Sequence, residues 1–193
     1  MGSGLYLRAM ILLRHGQSEF NRHFTATKRD PGIVDPPLTE LGHAQADAAA
    51  AALGDERISR IVCSPYTRAL QTAAAVAGRH GVPVFVNPIV RERFSFSCDI
   101  GSPRTALELA WPDHDFGALE EIWWPSVEEP SASIMARAAL FRAEIAALPD
   151  WSDTLVVSHW GFLLCMTGQS VANGQWLRCD PKGPAPERVT WAV

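Results

Sequence analysis

The chain is 193 residues long, and 47% of its residues are hydrophobic and 20% are charged. A chain of this length can bury about 70% of its unfolded surface, which is enough for one substantial core but short of two full domains. Its formal net charge of -4 excludes an overall positive field that would attract nucleic acid or an acidic membrane, so any anion site must be local.

The start of the chain lacks the pattern of an export signal or a membrane anchor. Its first apolar stretch, Ala9 to Leu13, is far too short to span a bilayer and runs into Arg14 without a small-residue cleavage site. Residues 1–4 are typical of a disordered leader. The four cysteines lie far apart, without the close pairing of metal sites or redox motifs. We therefore expect a cytoplasmic protein with reduced, partly buried thiols.

Short apolar runs with β-branched residues predict four strands along the chain. They lie at Ala9 to Leu13, Ile58 to Cys63, Val82 to Val86 and Thr154 to Ser158. Because strands of this kind alternate with longer helical stretches, we expect an α/β fold. The predicted architecture is a three-layer sandwich, in which a mostly parallel central sheet is flanked by helices, and it forms a single domain over the whole chain.

Three long helices are predicted between these strands. The first begins at the N-cap residue Thr39 and continues from Glu40 to Leu53. The second opens with Ser64-Pro65, a cap followed by proline at the first helical position, and runs to about His80. The third covers Ser131 to Leu148, where apolar residues recur at helical spacing.

Two long segments, 24–37 and 92–130, mix prolines, tryptophans and charged residues. We expect the second to be an irregular loop or cap insertion with one short helix at Pro103 to Trp111, and both segments to wall a pocket above the carboxyl edge of the sheet. Packing under this loop, rather than stacking on a substrate, is the expected use of three tryptophans: Trp111, Trp123 and Trp124. The tail from Asn173 onward has little periodicity.

An Arg-His-Gly tripeptide stands where the first predicted strand ends. The carboxyl end of a strand is where α/β proteins present ligand-binding groups, and Gly16 lets the backbone approach an anion closely. The planar fork of Arg14 can hold two phosphate oxygens. His15 can accept a phosphoryl group when its other ring nitrogen is fixed by a hydrogen bond. The tripeptide therefore indicates phosphate chemistry.

Two further strand ends supply groups of the same kind. Ser64 to Ala73 follows the second strand and places Arg68 in the first turn of a helix, where unpaired backbone N–H groups favour a phosphate dianion. Late in the chain, His159 and Gly161 follow an apolar strand. Two histidines at strand ends are also compatible with a metal site, but no third ligand follows at a familiar spacing, so we expect no metal.

In these motifs the sequence resembles the histidine phosphatase superfamily, in particular its phosphoglycerate mutase-like branch. The resemblance extends from roughly residue 9 to residue 168 and leaves the tail unassigned. It is carried by four segments whose order and spacing both fit: Leu12 to Asn21, Pro37 to Ala46, Ser64 to Ala73 and Val156 to Gly161.

The resemblance implies a role for each matched position. His15 would be the phosphorylated nucleophile, and Arg14, Arg68 and His159 would hold the phosphoryl oxygens. Three further residues would line the same pocket: Asn21, Gln17 and Ser18. No cofactor is implied, since cationic side chains supply the charge that a metal supplies elsewhere.

The family also uses a general acid after the third strand, and this position falls on Glu92. Glu92 lies between Arg91 and Arg93, whose charges favour the ionised carboxylate, whereas a leaving-group acid must hold its proton near neutral pH. A salt bridge to one of these arginines is the alternative interpretation of Glu92, with Asp99 or Glu19 as the acid instead.

The expected activity is metal-independent hydrolysis of phosphate monoesters through a phosphohistidine. Two alternatives stay open: a phosphoglycerate mutase-type phosphotransferase, and a catalytically silent phosphate-binding module. A mutase is less favoured because the residues that follow Arg93 depart from the mutase pattern. The expected partner is a small phosphorylated metabolite or a phosphoprotein, rather than a nucleic acid or a membrane.

Overall fold

The central element of the fold is a single five-stranded sheet. A computed structural model describes residues 8–191, and the leader expected at residues 1–4 lies outside this range. The strands are β1 (Met10–Arg14), β2 (Arg60–Cys63), β3 (Val84–Val86), β4 (Thr154–Ser158) and β5 (Trp176–Cys179). Their order in the sheet is β3-β2-β4-β1-β5, with β5 antiparallel to β1 and the other pairs parallel.

Six α-helices accompany the sheet. They are α1 (Glu19–Thr27), α2 (Glu40–Ala52), α3 (Thr67–His80), α4 (Arg104–Ala110), α5 (Ser131–Ala146) and α6 (Trp160–Thr167). Short 3-10 turns lie at Pro88–Val90, Ser97–Asp99 and Trp151–Asp153. Within residues 8–191, no helix has both the length and the apolar character needed to cross a membrane.

The two faces of the sheet carry separate hydrophobic cores. Successive side chains of a strand point to opposite faces, so Ile11 and Leu13 pack into one core while Met10 and Leu12 pack into the other. Helices α2 and α3 cover the first face, and α5 and α6 cover the second. The expected three-layer sandwich with a mostly parallel sheet is confirmed.

The register of the central strands brings three chain segments together at one edge. Arg14 pairs with Ser158, and Cys63 pairs with Val157, so β1, β4 and β2 end at the same level. Beyond these pairs, the His15 amide still donates to the Ser158 carbonyl over 3.0 Å. The residues that follow the three strands are therefore held next to each other.

The structure adds three elements that the sequence did not predict. Strand β5 lies in the tail, where the sequence has little periodicity. It forms because Trp176 and its neighbours pair with β1. Helix α6 is buried almost throughout and has no polar face to reveal a helical period. Helix α1 is short, and its last residues extend into the segment expected to be irregular.

The predicted start of the second helix is wrong by two residues. Helix α3 begins at Thr67, and its N-cap residue Tyr66 makes no side-chain capping bond. The capping group comes from another part of the chain: the Asp35 carboxylate accepts hydrogen bonds from the Thr67 amide at 2.9 Å and from its hydroxyl at 2.7 Å. The positive end of the helix dipole also stabilises a carboxylate at this position.

Candidate active site

A cavity of about 610 Å³ opens at the carboxyl edge of the sheet. Four of the residues predicted to act on phosphate line it: Arg14, His15, Arg68 and Glu92. Arg14 is the last residue of β1, Arg68 lies in the first turn of α3, and Glu92 follows β3 after a short turn. The sheet register and the starts of the helices thus converge on one chamber.

The imidazole of His15 is buried and held in one tautomer. Its Nδ1 lies 2.7 Å from the carbonyl oxygen of Gly16. Because a carbonyl can only accept, Nδ1 carries the proton and Nε2 keeps its lone pair. Burial lowers the pKa of His15 well below its usual value, and the nearby charges of Arg68 and Arg14 lower it further. His15 is therefore neutral, as a nucleophile must be.

Gly16 is required by a close contact between two parts of the backbone. A Cβ atom at Gly16 would collide with the backbone carbonyl of Gly42, and a Cβ at Gly42 would collide with the carbonyl of Gln17. The two glycines therefore let the loop after β1 cross the first turn of α2 in direct backbone contact. This crossing is sufficient to require a glycine after His15.

The guanidinium of Arg14 is largely buried and only partly paired. Its Nη1 donates to the carbonyl of Val171 over 2.9 Å, whereas its Nε is buried without a hydrogen-bond partner among the described residues. Burial lowers the pKa of Arg14 to about 10, so the group stays charged at neutral pH. An unpaired buried donor is costly, and a bound phosphoryl oxygen would satisfy it.

Arg68 is oriented by the 3-10 turn that contains Asp99. Its guanidinium donates to the Cys98 carbonyl over 2.8 Å and reaches an Asp99 oxygen at 3.4 Å. The second Asp99 oxygen accepts hydrogen bonds from the backbone amides of Ser95 and Phe96, both at 3.0 Å. Burial raises the pKa of Asp99 to about 6, against the opposing charge of Arg68.

His159 lies directly behind His15 and does not line the cavity itself. The centroids of the two rings are 4.9 Å apart. His159 Nε2 pairs with the Ser64 hydroxyl at 2.7 Å, while its Nδ1 is buried without a partner among the described residues. Burial and the charge of Arg68 lower the pKa of His159, so this ring is neutral too.

The Glu92 carboxylate lies against the first turn of α6. It accepts a hydrogen bond from the Gly161 amide over 3.0 Å and another from the Arg93 amide over 2.7 Å. Neither neighbouring arginine forms a salt bridge with Glu92 in the described part of the chain: Arg93 pairs with Glu128, and Arg91 pairs with Glu129. The alternative interpretation of Glu92, a salt bridge to one of its flanking arginines, is therefore not what the described residues form.

The three remaining pocket predictions separate into two groups. Ser18 and Asn21 line the cavity, where they form the capping box that starts α1. Gln17 lies outside the cavity lining, and its side chain accepts a hydrogen bond from Thr39 at 2.9 Å. Sequence reasoning missed Asn173, which lines the cavity and donates to the carbonyl of His15 over 3.1 Å.

The two alternative acids, Glu19 and Asp99, differ in their position relative to the cavity. Glu19, an alternative acid, forms a salt bridge with Arg22 and does not line the cavity. Asp99, the other alternative, does line it. Trp123 is buried beneath the 92–130 segment, where its ring packs edge-on against Tyr66 at 4.7 Å, as expected.

The chain belongs to the histidine phosphatase superfamily (branch 1), whose family model matches residues 10–180. This membership confirms the resemblance seen in the sequence. Among curated relatives, the glucosyl-3-phosphoglycerate phosphatase of Mycolicibacterium vanbaalenii is 30% identical over 174 residues, covering 83% of this chain and 73% of the relative. A probable phosphoglycerate mutase, GpmB of Photorhabdus laumondii, is 38% identical over 162 residues, covering 82% and 73%.

A solved structure shares the architecture. The native structure of a mycobacterial glucosyl-3-phosphoglycerate phosphatase superimposes with a TM-score of 0.61 and 26% identity, covering 88% of each chain. The relatives thus include both phosphatases and mutases, and phosphatase activity is the part of the prediction that the family and these relatives support.

Proposed function

We propose that this protein hydrolyses phosphate monoesters by transferring the phosphoryl group to His15 and then to water. The observation that carries the proposal is the state of the His15 ring. Its Nδ1 is fixed by the Gly16 carbonyl, its Nε2 has a lone pair, and the ring is kept neutral between Arg14 and Arg68 in the wall of a cavity. A histidine held only for packing has no need of two cations beside it.

In the first step, Nε2 of His15 attacks phosphorus, so that a P–N bond forms while the P–O bond to the leaving group breaks. Glu92 donates its proton to the departing oxygen. Charge on the three equatorial oxygens of the transition state is stabilised by the guanidinium groups of Arg14 and Arg68. The Nε of Arg14, which has no partner among the described residues, can donate a hydrogen bond to one of these oxygens.

In the second step, water attacks the phosphohistidine and the P–N bond breaks. The Glu92 carboxylate accepts the proton of this water, which restores the acid for the next cycle. Inorganic phosphate leaves, and the electron pair of the P–N bond returns to Nε2. The hydrogen bond from Nδ1 to Gly16 stabilises the ring while it carries the phosphoryl group.

Glu92 is the proposed acid, and Asp99 is better suited to a positioning role. Both oxygens of Asp99 accept hydrogen bonds, one of them from the guanidinium of Arg68. Protonation of Asp99 during turnover would weaken the anchoring of that guanidinium. Glu92 is held by two backbone amides and touches no cation in the described residues.

Hydrolysis is favoured over a mutase reaction by the state of Arg93. A mutase for phosphoglycerate needs cations that recognise the substrate carboxylate. The Arg93 guanidinium already pairs with Glu128 at 2.9 Å and donates to the carbonyl of Glu129 at 2.8 Å. The cytoplasm is the proposed compartment, because four buried free thiols suit a reducing environment.

The test compares the wild type with His15→Ala on a chromogenic phosphate monoester, with chelator present. His23→Ala is the matched control, because His23 lies exposed on α1 and does not line the cavity. We expect His15→Ala to lose at least about 10³-fold in turnover, and the wild type alone to form an acid-labile, base-stable phosphoenzyme. If wild type and variant are equally inactive yet bind phosphate or vanadate, the protein is a phosphate-binding module.

A further inference from the structure

Five aromatic side chains line the same cavity as His15. They form what we call the aromatic wall: Phe20, Phe24, Phe96, Trp160 and Trp191. They come from four separate parts of the chain, namely helix α1, the 92–130 segment, the start of α6 and the C-terminal tail. The proposed phosphoryl transfer uses none of them.

One part of the aromatic wall is a cluster of three phenylalanines. The ring centroids of Phe20, Phe24 and Phe96 lie 5.1 to 5.7 Å apart. Phe96 remains 37% exposed although it contacts the other two rings. A large apolar side chain that is left open beside a cavity typically marks a surface for a ligand.

The other part of the wall consists of two tryptophans. The rings of Trp160 and Trp191 lie 5.9 Å apart. Both indole N–H groups already have partners, Ser170 at 2.9 Å and Ser131 at 2.7 Å. What the two rings offer to a ligand is therefore apolar surface. Trp191 also lies outside residues 10–180, so it is not part of the matched family domain.

The Arg93–Glu128 ion pair beside the two tryptophans does not favour an acidic leaving group there. Arg93 lies over the Trp191 ring, with 4.7 Å between its guanidinium carbon and the ring centroid, and it is paired with Glu128. Lys28 lies 5.8 Å from the centroid of Phe24. A substrate carboxylate would have to displace Glu128 from Arg93, and Glu128 itself lines the cavity and would repel it.

We infer that the aromatic wall binds the leaving group of the substrate and that this group is flat and apolar, such as an aryl or arylmethyl group. Aromatic rings stack on one another with a preference beyond the area they bury. A cavity of about 610 Å³ has room for such a group together with the phosphoryl group. The inference rests on the proposed phosphatase function.

The test uses three phosphate monoesters that all release an alcohol: benzyl phosphate, glycerol phosphate and glucose 6-phosphate. Because none of them has the intrinsically good leaving group of a nitrophenyl ester, differences in rate report recognition. We expect wild-type kcat/KM for benzyl phosphate to exceed that for the other two by at least about tenfold.

Variants then assign this preference to the wall. We expect Trp191→Ala to lower kcat/KM for benzyl phosphate by about fivefold to tenfold, and to leave glycerol phosphate within about twofold. Trp191→Phe should retain most of the preference. Arg188→Ala is the matched control, because Arg188 is an exposed residue of the same tail that does not line the cavity. Thermal unfolding of each variant verifies the fold.

Four outcomes would overturn the inference. Equal kcat/KM on all three esters, or an equal loss on all three in Trp191→Ala, would remove the aromatic preference and leave the phosphatase proposal intact. A preference for glucose 6-phosphate that Trp191→Ala abolishes would assign the wall to sugars. Failure on all three esters, with no phosphoenzyme at His15, would instead overturn the proposed function and the inference with it.

Discussion

The phosphate end of the cavity and the aromatic wall are built in opposite ways. At the proposed phosphate end, Arg14 and His15 stand at the end of β1, and Arg68 stands in the first turn of a helix. His159 stands at the end of the paired strand β4 and lies behind His15. His15, Arg68 and His159 are each at most 3% exposed. The aromatic wall comes from helix α1, an irregular segment, the start of α6 and the tail, and its Phe96 is 37% exposed.

In the proposed mechanism, this difference separates the residues that carry out the chemistry from those that choose the substrate. Groups that must stabilise a transition state have to be held within a fraction of an ångström, and strands in register provide that precision. Groups that only contact a leaving group tolerate looser placement, so they can come from segments that vary freely. Changes at the phosphate end should therefore affect all substrates, and changes in the wall only some.

After His15→Ala, the largest effect is expected for Arg68→Gln. Removing the guanidinium takes away a fixed donor for the phosphoryl oxygens, so kcat should fall about 10²- to 10³-fold on every phosphate monoester tested. Steady-state kinetics on benzyl and 4-nitrophenyl phosphate would check this, with Arg22→Gln on α1 as the matched control. A loss below about tenfold, or one confined to a single substrate, would contradict the assignment of Arg68 to the phosphate end.

A smaller and more selective effect is expected for Glu92→Gln. The amide cannot protonate the leaving oxygen, so kcat/KM for benzyl phosphate should fall about 10²-fold. For 4-nitrophenyl phosphate, whose leaving group needs no proton, kcat/KM should fall less than about tenfold, and phosphoenzyme should accumulate because water attack loses its base. Glu128→Gln, another carboxylate of the cavity lining, should show no such dependence on the leaving group. Equal losses on both esters would exclude Glu92 as the acid.

Gly161→Ala tests a position that touches both Glu92 and the aromatic wall. A Cβ atom there would collide with a Glu92 carboxylate oxygen and lie 3.3 Å from the Trp191 ring. We expect about a tenfold loss of kcat/KM for benzyl phosphate, since the acid and one face of the wall are displaced together.

Gly78→Ala on α3 is the matched control for this substitution. Nothing lies within 4 Å of a Cβ at Gly78, so its activity should be unchanged. Its unfolding free energy should rise by about 0.5–1 kcal/mol, because alanine is the better helix former. If the kcat/KM of Gly161→Ala for benzyl phosphate were within twofold of wild type, displacement of Glu92 would not reduce activity.

The sequence predicted the phosphate end better than the wall, for a physical reason. Arg14, His15 and His159 each come directly after an apolar run, and the carboxyl ends of parallel strands meet at one edge. Local order in the chain was thus enough to predict that these groups come together. Glu92 and Asp99 lie in a segment without periodicity. The sequence could therefore favour Glu92 as the general acid but could not exclude Asp99.

What the sequence could not predict depends on contacts between distant residues. Asn173 reaches the carbonyl of His15, and Asp35 caps α3, yet neither stands in a pattern of its own. Trp191 joins the wall through a hydrogen bond to Ser131, at the start of α5. Strand β5 likewise exists through its pairing with β1. Hydrophobic periodicity carries no information on such contacts.

The smallest predicted effect is on the pH dependence of the unfolding free energy. It should respond to changes at the phosphate end and not to changes in the wall. Burial lowers the pKa of both His15 and His159, so below about pH 6.5 the unfolded chain binds protons that the folded protein does not, and the unfolding free energy falls as the pH falls. Asp99 acts in the opposite direction: its pKa is raised from 3.8 to about 6, so the folded protein binds a proton between these values. With two histidines against one carboxyl, wild type should lose stability on acidification.

Chemical unfolding at pH 7 and pH 5 would measure this loss, which cannot exceed about 1.4 kcal/mol per pH unit for each histidine. In His15→Asn, one histidine and Asp99 nearly cancel, so the loss should shrink. Phe96→Ala in the wall should shift stability by an amount that does not change with pH. If wild type were as stable at pH 5 as at pH 7, the two histidines would not be held neutral, and His15 could not serve as a nucleophile through this range.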